Sequence, residues 1–499
     1  MARAQAAART AAMASACGAG PDSAVAFVQP ILRVPRRSEP LLTEMQTSVA
    51  RLRAVSGTQE FRLSEVVSAL SYALDLTEGQ PPGHTLRATA IGMRFADELS
   101  LSDGERAALY YTMLLKDAGC STNAATVADR FGSDDGPVKR DLKTTEWSSL
   151  AASAAYAWRN AARGGPLTRR MLHFTRIAAG GRGLARELVR VRCYRGAEIA
   201  TRLGFPEATA EAVRCLDEHW NGSGYPGGFA GDAIPLPARI ASLAQTLEVF
   251  LTSRGAAGAI DMALQRRGSW FDPSLVDLCA SWRHDHAWWN DLLDEELIVR
   301  VQALEPEAHA RILDEEGLDR VAEAFAEIID AKSPYTAAHS TNVARYATGI
   351  AHVFHLSDAR IRSLYRAGLL HAVGKLGISS RLLDKAAPLT SDERGIMQQH
   401  PQFTWSILRR VGAFRDFAWT SSLHHERLDG SGYPWGVGDD ELDLEARILA
   451  VADVYEALTA RRPYRDGLPV DHSLRILGKD TPFRYDGRVF TALEAFLGH

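Results

Sequence analysis

The chain repeats itself. Set against each other at His84 and His339, "GHTLRATAIGMRFADELSLSD" and "AHSTNVARYATGIAHVFHLSD" run without a gap to a shared Leu-Ser-Asp. Further on, "LYYTMLLKDAGC" falls on "LYRAGLLHAVGK". Then "EHWNGSGYPGGFAGDAIPLPARIASLAQTLEVF" falls on "ERLDGSGYPWGVGDDELDLEARILAVADVYEAL". Between the second and third matches the first copy is longer by about 47 residues. A period this far above 50 residues excludes a solenoid and means two similar domains.

Both copies read as helical. After His339, apolar residues recur at Val343, Tyr346, Ala347, Ile350 and Phe354, the spacing of a helix with one buried face. "ARILAVADVYEALTA" repeats the pattern at Ile448, Val451, Tyr455 and Leu458. Strand-like alternation is scarce. The expected fold is all-α, with two tandem helical domains. The boundaries are a flexible segment at 1–58, an eroded copy at 59–290, a helical connector at 291–314 and the second copy at 315–499. The first 21 residues hold no acid and too few strongly apolar side chains for a signal sequence, so they read as a disordered tail, and Met45 is an alternative start.

Composition excludes several classes. The formal charge of −4 over 499 residues, without a dense Lys/Arg block, gives no footing for nucleic acid or a polybasic membrane anchor. Five cysteines with no CxxC pair argue against a disulfide frame or a thiolate zinc site and fit a reduced, cytoplasmic protein. No apolar run reaches the roughly 18 residues that would span a bilayer.

The second copy places His339, His371, His400, His424, His425 and Asp453 beside or within apolar stretches. Burying that many polar groups costs several kcal/mol each unless they are paired or bind a cation. Imidazole and carboxylate form the donor set for Zn, Fe, Mn or Ni. One such histidine alone is more often a hydrogen-bonded core residue; six N/O groups in one domain, in a pattern its neighbour has lost, favour a metal. Adjacent residues on a helix diverge by about 100°, so His424 and His425 converge on an ion only near a helix end, which the glycine turn after them supplies.

The string "LLHAVGKLGIS…HP…HHERLDGSGYP…ARILAVADVYEALTARRPYR" resembles the HD-GYP domains, a branch of the HD metal-dependent phosphohydrolases. The resemblance covers nearly all of the second copy. It implies an all-α fold, two or three metal ions, and hydrolysis of cyclic di-GMP to linear products. It also implies one ion on His339, His371 and Asp453, and a second on His400, His424 and His425. It makes Lys375 the catalytic lysine, and Arg462, Arg465 and Tyr433 substrate-binding. A phosphodiester needs cations on its oxygens and an ionised water at neutral pH, which two close divalent ions supply.

The second copy departs from the family at one residue. Ala372 follows His371 where the family has the aspartate that bridges the ions. The first copy departs almost everywhere. It keeps His84, but Lys116 replaces His371, Arg192 or Cys193 replaces His400, and Leu216 and Asp217 replace the histidine pair. Asp117 keeps a carboxylate, Asn221 replaces Asp429, and Gln245 replaces Asp453. Its surviving "NGSGYPGG" turn reads first as structural. Two functions follow. One is a cyclic di-GMP phosphodiesterase with two divalent ions, working in the second copy and impaired by Ala372. The alternative is an inactive relative that senses a nucleotide or engages a signalling partner such as a GGDEF-type cyclase.

Overall fold

The computed structural model describes residues 61–498 apart from 146–149, 295 and 464. The expected tail at 1–58 and the alternative start at Met45 lie outside these residues. Among them, Phe61–Arg62 and Ile312–Leu313 form a two-stranded antiparallel ribbon with Phe61 opposite Leu313. Nearly everything else regular is helix.

The same helical frame occurs twice. In the first copy it runs through Leu63–Thr77, His84–Glu98, Asp103–Leu115, the C-terminal half of Leu167–Arg202 and Leu236–Gln265. In the second it runs through Glu315–Asp330, His339–Val353, Asp358–Leu370, His400–Leu408 and Leu444–Thr459. The periodic residues are the reason. Val343, Ala347 and Ile350 are fully buried, as are Ile448 and Val451, so each helix covers an apolar stripe. Ser102 opens one helix with a capping box, exchanging hydrogen bonds with Glu105.

Both histidine helices are entered in the same way. Asp330 closes the preceding helix and accepts the backbone N–H of Ser340 at 3.1 Å and its hydroxyl at 2.8 Å. Asp75 does the same for the N–H and hydroxyl of Thr85, at 3.0 and 2.7 Å. The residue before each histidine is left-handed: Gly83 at φ 83° and Ala338 at φ 59°.

The extra length of the first copy forms the helices Ala124–Phe131, Asp135–Thr144, Leu150–Asn160 and the start of Leu167–Arg202, which breaks at Gly181. The connector contains the helix Leu297–Ala303, a 3-10 turn at Glu307–His309 and the strand Ile312–Leu313, which returns to pair with the start of the first copy.

One apolar core runs through both copies. The helix Leu63–Thr77 packs on the 3-10 turn Val373–Gly377 and on His400–Leu408. Reciprocally, Glu315–Asp330 packs on the turn Cys120–Asn123 and on Leu167–Arg202. These are matching elements used in both directions, as across a two-fold dimer interface.

Candidate metal centre

The two stretches that carry His371 and His400 cross in backbone contact. A Cβ at Gly374 would stand 1.9 Å from the carbonyl oxygen of His400, so only glycine fits there. Thr404 seals the crossing by donating to the carbonyl of His371 at 2.9 Å. The helix Arg415–Ser422 ends just before His424 and His425. Both rings therefore escape the divergence of a helix and face His400, with ring centroids 5.3 and 5.0 Å from it.

Three imidazoles are oriented by one device. His371, His400 and His424 each direct Nδ1 at the carbonyl oxygen three residues upstream, on Gly368 at 2.6 Å, Met397 at 2.7 Å and Ser421 at 2.7 Å. A carbonyl only accepts, so Nδ1 carries the proton and Nε2 offers a lone pair. His339 directs Nδ1 at the Glu456 carboxylate, 2.5 Å away. The Nε2 atoms of His339 and His371 are buried without a hydrogen-bond partner.

The donors fall into two groups, each with ligand atoms within 4.8 Å of one another: His339, His371 and Asp453, and then His400, His424 and His425. Asp453 faces both. Its Oδ1 lies 3.5 Å from His339 Nε2 and 3.6 Å from His371 Nε2, and its Oδ2 lies 3.7 Å from His425 Nδ1. Burial pulls His339 down to about 4 and His425 to about 3, with the Lys375 ammonium adding to both. Burial, then the neighbouring His425, holds His400 and His424 well below their ordinary value.

A cation fits these donors. His400 Nε2 and His424 Nε2 are 3.1 Å apart, yet both Nδ1 atoms already hold the proton. Two facing lone pairs repel unless a positive charge stands between or beside them. Fixing Nδ1 on a carbonyl or carboxylate is also how proteins orient metal-binding histidines.

The remaining predicted residues divide. Burial depresses the Lys375 ammonium, Arg462 adds to this, and Asp453 opposes it, which sets the lysine among the ligands. Arg462 donates to Glu456 at 3.1 Å. The Tyr433 ring lies on His425, centroids 4.7 Å apart. Arg465 does not join the cluster. Its guanidinium donates to the carbonyls of Ala457, Leu458 and Asp466, closing the end of the helix Leu444–Thr459. Ala372 is fully buried, with no polar atom to offer.

Sequence reasoning missed Glu456, Asp330 and Glu426. Glu426 holds the glycine turn by accepting the N–H groups of Trp435 and Gly436 at 2.8 and 3.2 Å. The signal was present: each recurs in the first copy, as Glu248, Asp75 and Glu218. Glu248 accepts from His84, and Glu218 from Gly227, Gly228 and Phe229. The surviving turn of the first copy is thus a braced structural element.

In the first copy, cations of the chain itself fill the corresponding place. A Cβ at Gly119 would stand 1.9 Å from the Arg192 carbonyl oxygen, so Arg192, not Cys193, is the counterpart of His400. Lys116 pairs with Asp117. Lys143 reaches Glu78 at 3.2 Å and Asp117 at 3.7 Å, and Lys139 reaches Glu78 at 3.4 Å. Arg192 donates to Asp217 at 2.8 Å. Glu78, Asp117 and Cys120 do form a compact group. Their charge is already balanced by these cations, and burial pushes the Cys120 thiol up, so without an ion the group is self-compensated.

Comparison with known proteins agrees with this geometry. The HD domain family matches residues 185–275 and 323–489. The chain belongs to this family, in its HD-GYP branch. It is 41% identical to the 3'3'-cGAMP-specific phosphodiesterase 3 of Vibrio cholerae over 88% of its own length and 95% of that protein. The crystal structure of a cyclic GMP-AMP-specific phosphodiesterase of V. cholerae, V-cGAP3, superposes with a TM-score of 0.62 at 38% identity, covering 88% of this chain and 98% of the other. A cyclic di-GMP phosphodiesterase of Pseudomonas aeruginosa is 35% identical over 33% of this chain and 40% of its own. The protein is a metal-dependent HD phosphohydrolase with an all-α fold. No described helix is long and apolar enough to cross a membrane.

Proposed function

We propose that the chain is a phosphodiesterase that opens a cyclic dinucleotide, with 3'3'-cGAMP as its substrate, and that the second copy alone carries the reaction. The facing donor groups, with Asp453 turned toward both, carry this reading. The relative matched over 95% of its length supports 3'3'-cGAMP ahead of the cyclic di-GMP expected from the resemblance. The division into an eroded copy at 59–290, a connector at 291–314 and a working copy at 315–499 is part of the same reading.

His339, His371 and Asp453 would hold one divalent ion, and His400, His424 and His425 a second. When bound, such ions neutralise phosphate charge and lower the pKa of water to about 7. Asp453 would be placed to serve both ions where Ala372 offers no carboxylate, since its two oxygens face different donor groups. Lys375 and Arg462 hold the remaining phosphate charge, Arg462 presenting a planar fork while Glu456 steadies it. Tyr433 offers a ring face beside His425 for a base.

The test is product formation from 3'3'-cGAMP and from cyclic di-GMP after purification with Mn or Fe. A His424→Ala variant sets the background, and the metal is counted per chain. Product above background from 3'3'-cGAMP first, with two ions per chain, supports the proposal. The gap at Ala372 motivates a sensor reading, in which nucleotide binds and no product forms. Failure to exceed background removes the enzymatic reading.

A further inference from the structure

The eroded copy reaches into the scaffold of the working one. Asp135, 1% exposed, opens the helix Asp135–Thr144 in the segment where the first copy is longer. Its Oδ2 lies 2.8 Å from Lys332 Nζ, and its Oδ1 accepts the backbone N–H of Ser380 at 2.9 Å. Lys332 follows Asp330 in the link that leads into His339, and is itself 3% exposed. Ser380 stands just beyond the turn that carries His371 and Lys375. The two segments also meet directly, Ser380 Oγ donating to the Lys332 carbonyl at 3.2 Å. Asp134 next door accepts from Ser379 Oγ at 2.8 Å and Arg381 Nε at 3.1 Å, but is far more exposed.

We propose that Asp135 is a positioning residue for the donor group His339, His371 and Asp453, so that the eroded copy sets the geometry of the working site. His339 and His371 come from two separate stretches of chain, and one buried carboxylate of the other copy fixes the spacing of both stretches. Metal–ligand distances tolerate only about 0.2 Å, so a small drift between the segments splits the site. Removing the carboxylate also leaves the Lys332 charge buried and unpaired, which drives that segment to move. The helix Leu63–Thr77 of the eroded copy also packs on that turn, and its Tyr72 ring receives the Arg410 guanidinium, 4.6 Å away, just past the helix His400–Leu408.

The inference rests on the metal-site reading above. Its test titrates metal-free, full-length protein with Mn²⁺, following free Mn²⁺ by electron paramagnetic resonance. Hydrogen exchange is followed in parallel across residues 331–341 and 371–383. Asp135→Asn keeps an acceptor for the Ser380 N–H and drops the charge; Asp135→Ala drops both. Either should weaken one of two binding steps at least about tenfold, leave the other within about twofold, and speed exchange in both segments. Asp134→Ala should do neither. If Asp135→Ala does not fold, Asp135→Asn decides. Unchanged Mn²⁺ affinities in folded Asp135→Asn, or equal weakening of both steps, overturns the proposal. Wild-type protein that takes up no Mn²⁺ fails the metal reading itself, and this inference with it.

Discussion

The two copies share a frame and differ in what balances the charge at its centre. In the second, lone pairs on His339, His371, His400 and His424 face inward with no ion pair to a cationic side chain among the described residues. In the first, Lys116, Lys139, Lys143 and Arg192 stand against Glu78, Asp117 and Asp217. A site that borrows its cations from solution can do chemistry with them. A site that grows them on its own side chains is charge-compensated, closed and structural. The residues that hold the rings and turns, Glu248 and Glu456, Asp75 and Asp330, Glu218 and Glu426, are the same in both. Loss of a ligand set therefore need not disturb a fold whose supports remain.

Exchanging the roles gives the largest effects. His371→Ala should reduce turnover by more than about a hundredfold, with a smaller loss of metal-free stability that comes from the buried ring's packing and its 3.6 Å contact with Asp453. Lys116→Met should do the reverse, leaving kcat near wild type and costing about 3 to 5 kcal/mol in urea unfolding, since the Asp117 carboxylate loses its closest cation. A Lys116→Met protein with undiminished stability would mean that the first copy does not rely on internal charge balance.

Ala372→Asp sharpens the contrast. The first copy has Asp117 at this position, balanced by Lys116 and Lys143. Among the described residues the second copy has no counterpart of Lys116 or Lys143, and its Lys375 ammonium already interacts with Asp453, so a carboxylate at 372 would be stabilised mainly by metal. Metal affinity should rise at least about tenfold, the metal-free protein should lose several kcal/mol, and turnover should increase. Metal titration of the two forms, with thermal unfolding in chelator, reads both changes. An equal rise in stability with and without metal would remove the bridging argument.

The repeat and the helical class were legible because each is written in local periodicity or in an internal alignment, and the same alignment singled out the six candidate donors. For Arg465, expected to bind substrate, a motif gives residue type but not direction; its guanidinium turns back onto the carbonyls of Ala457 and Leu458. The contacts of Asp135 were invisible because its partners, Lys332 and Ser380, are 197 and 245 residues away in the chain and lie in a copy that lacks the helix bearing it. Long-range pairing of this kind leaves no pattern in a single sequence. The supports Glu456 and Asp330 were legible in principle, since they are identical in both copies where the ligands are not.

Acid should separate the copies. His339 is held at about 4 and His425 at about 3, below an ordinary histidine. Above pH 6.5 both are neutral, folded or unfolded, and contribute nothing. As pH falls from 6.5 to 4 the unfolded chain takes up protons that the folded one refuses, and the metal-free second copy loses about 3 kcal/mol through His339 alone. Among the described residues the first copy has one histidine lowered in this way, His84, by burial and then Lys116, against four in the second, and its Glu248 is depressed to about 2: burial would raise it, but His84 and Arg87 outweigh burial. Its stabilising share is complete above pH 4.5 and is lost only as pH falls toward 2. Hydrogen exchange at pH 5 should therefore show the second copy opening first. Simultaneous opening would mean that the shared core couples the copies more strongly than their charges separate them.

The smallest effect concerns the step into each histidine helix. Ala338 sits at φ 59° and its counterpart Gly83 at φ 83°. A side chain costs roughly 1 to 2 kcal/mol in that region, and glycine does not. Glycine also enlarges the unfolded ensemble, which offsets part of the gain by about 0.4 to 1 kcal/mol. Ala338→Gly should accordingly stabilise the metal-free second copy by no more than about 1 kcal/mol, and Gly83→Ala should destabilise the first by a similar amount, both read from urea midpoints. The second copy keeps the strained residue beside His339, whose ring Glu456 holds and whose neighbour Ser340 is held by Asp330. If Ala338→Gly raises stability but lowers Mn²⁺ affinity, the stiffness of that entry belongs to the site; if affinity is unmoved, Asp330 and Glu456 suffice to hold His339 in place.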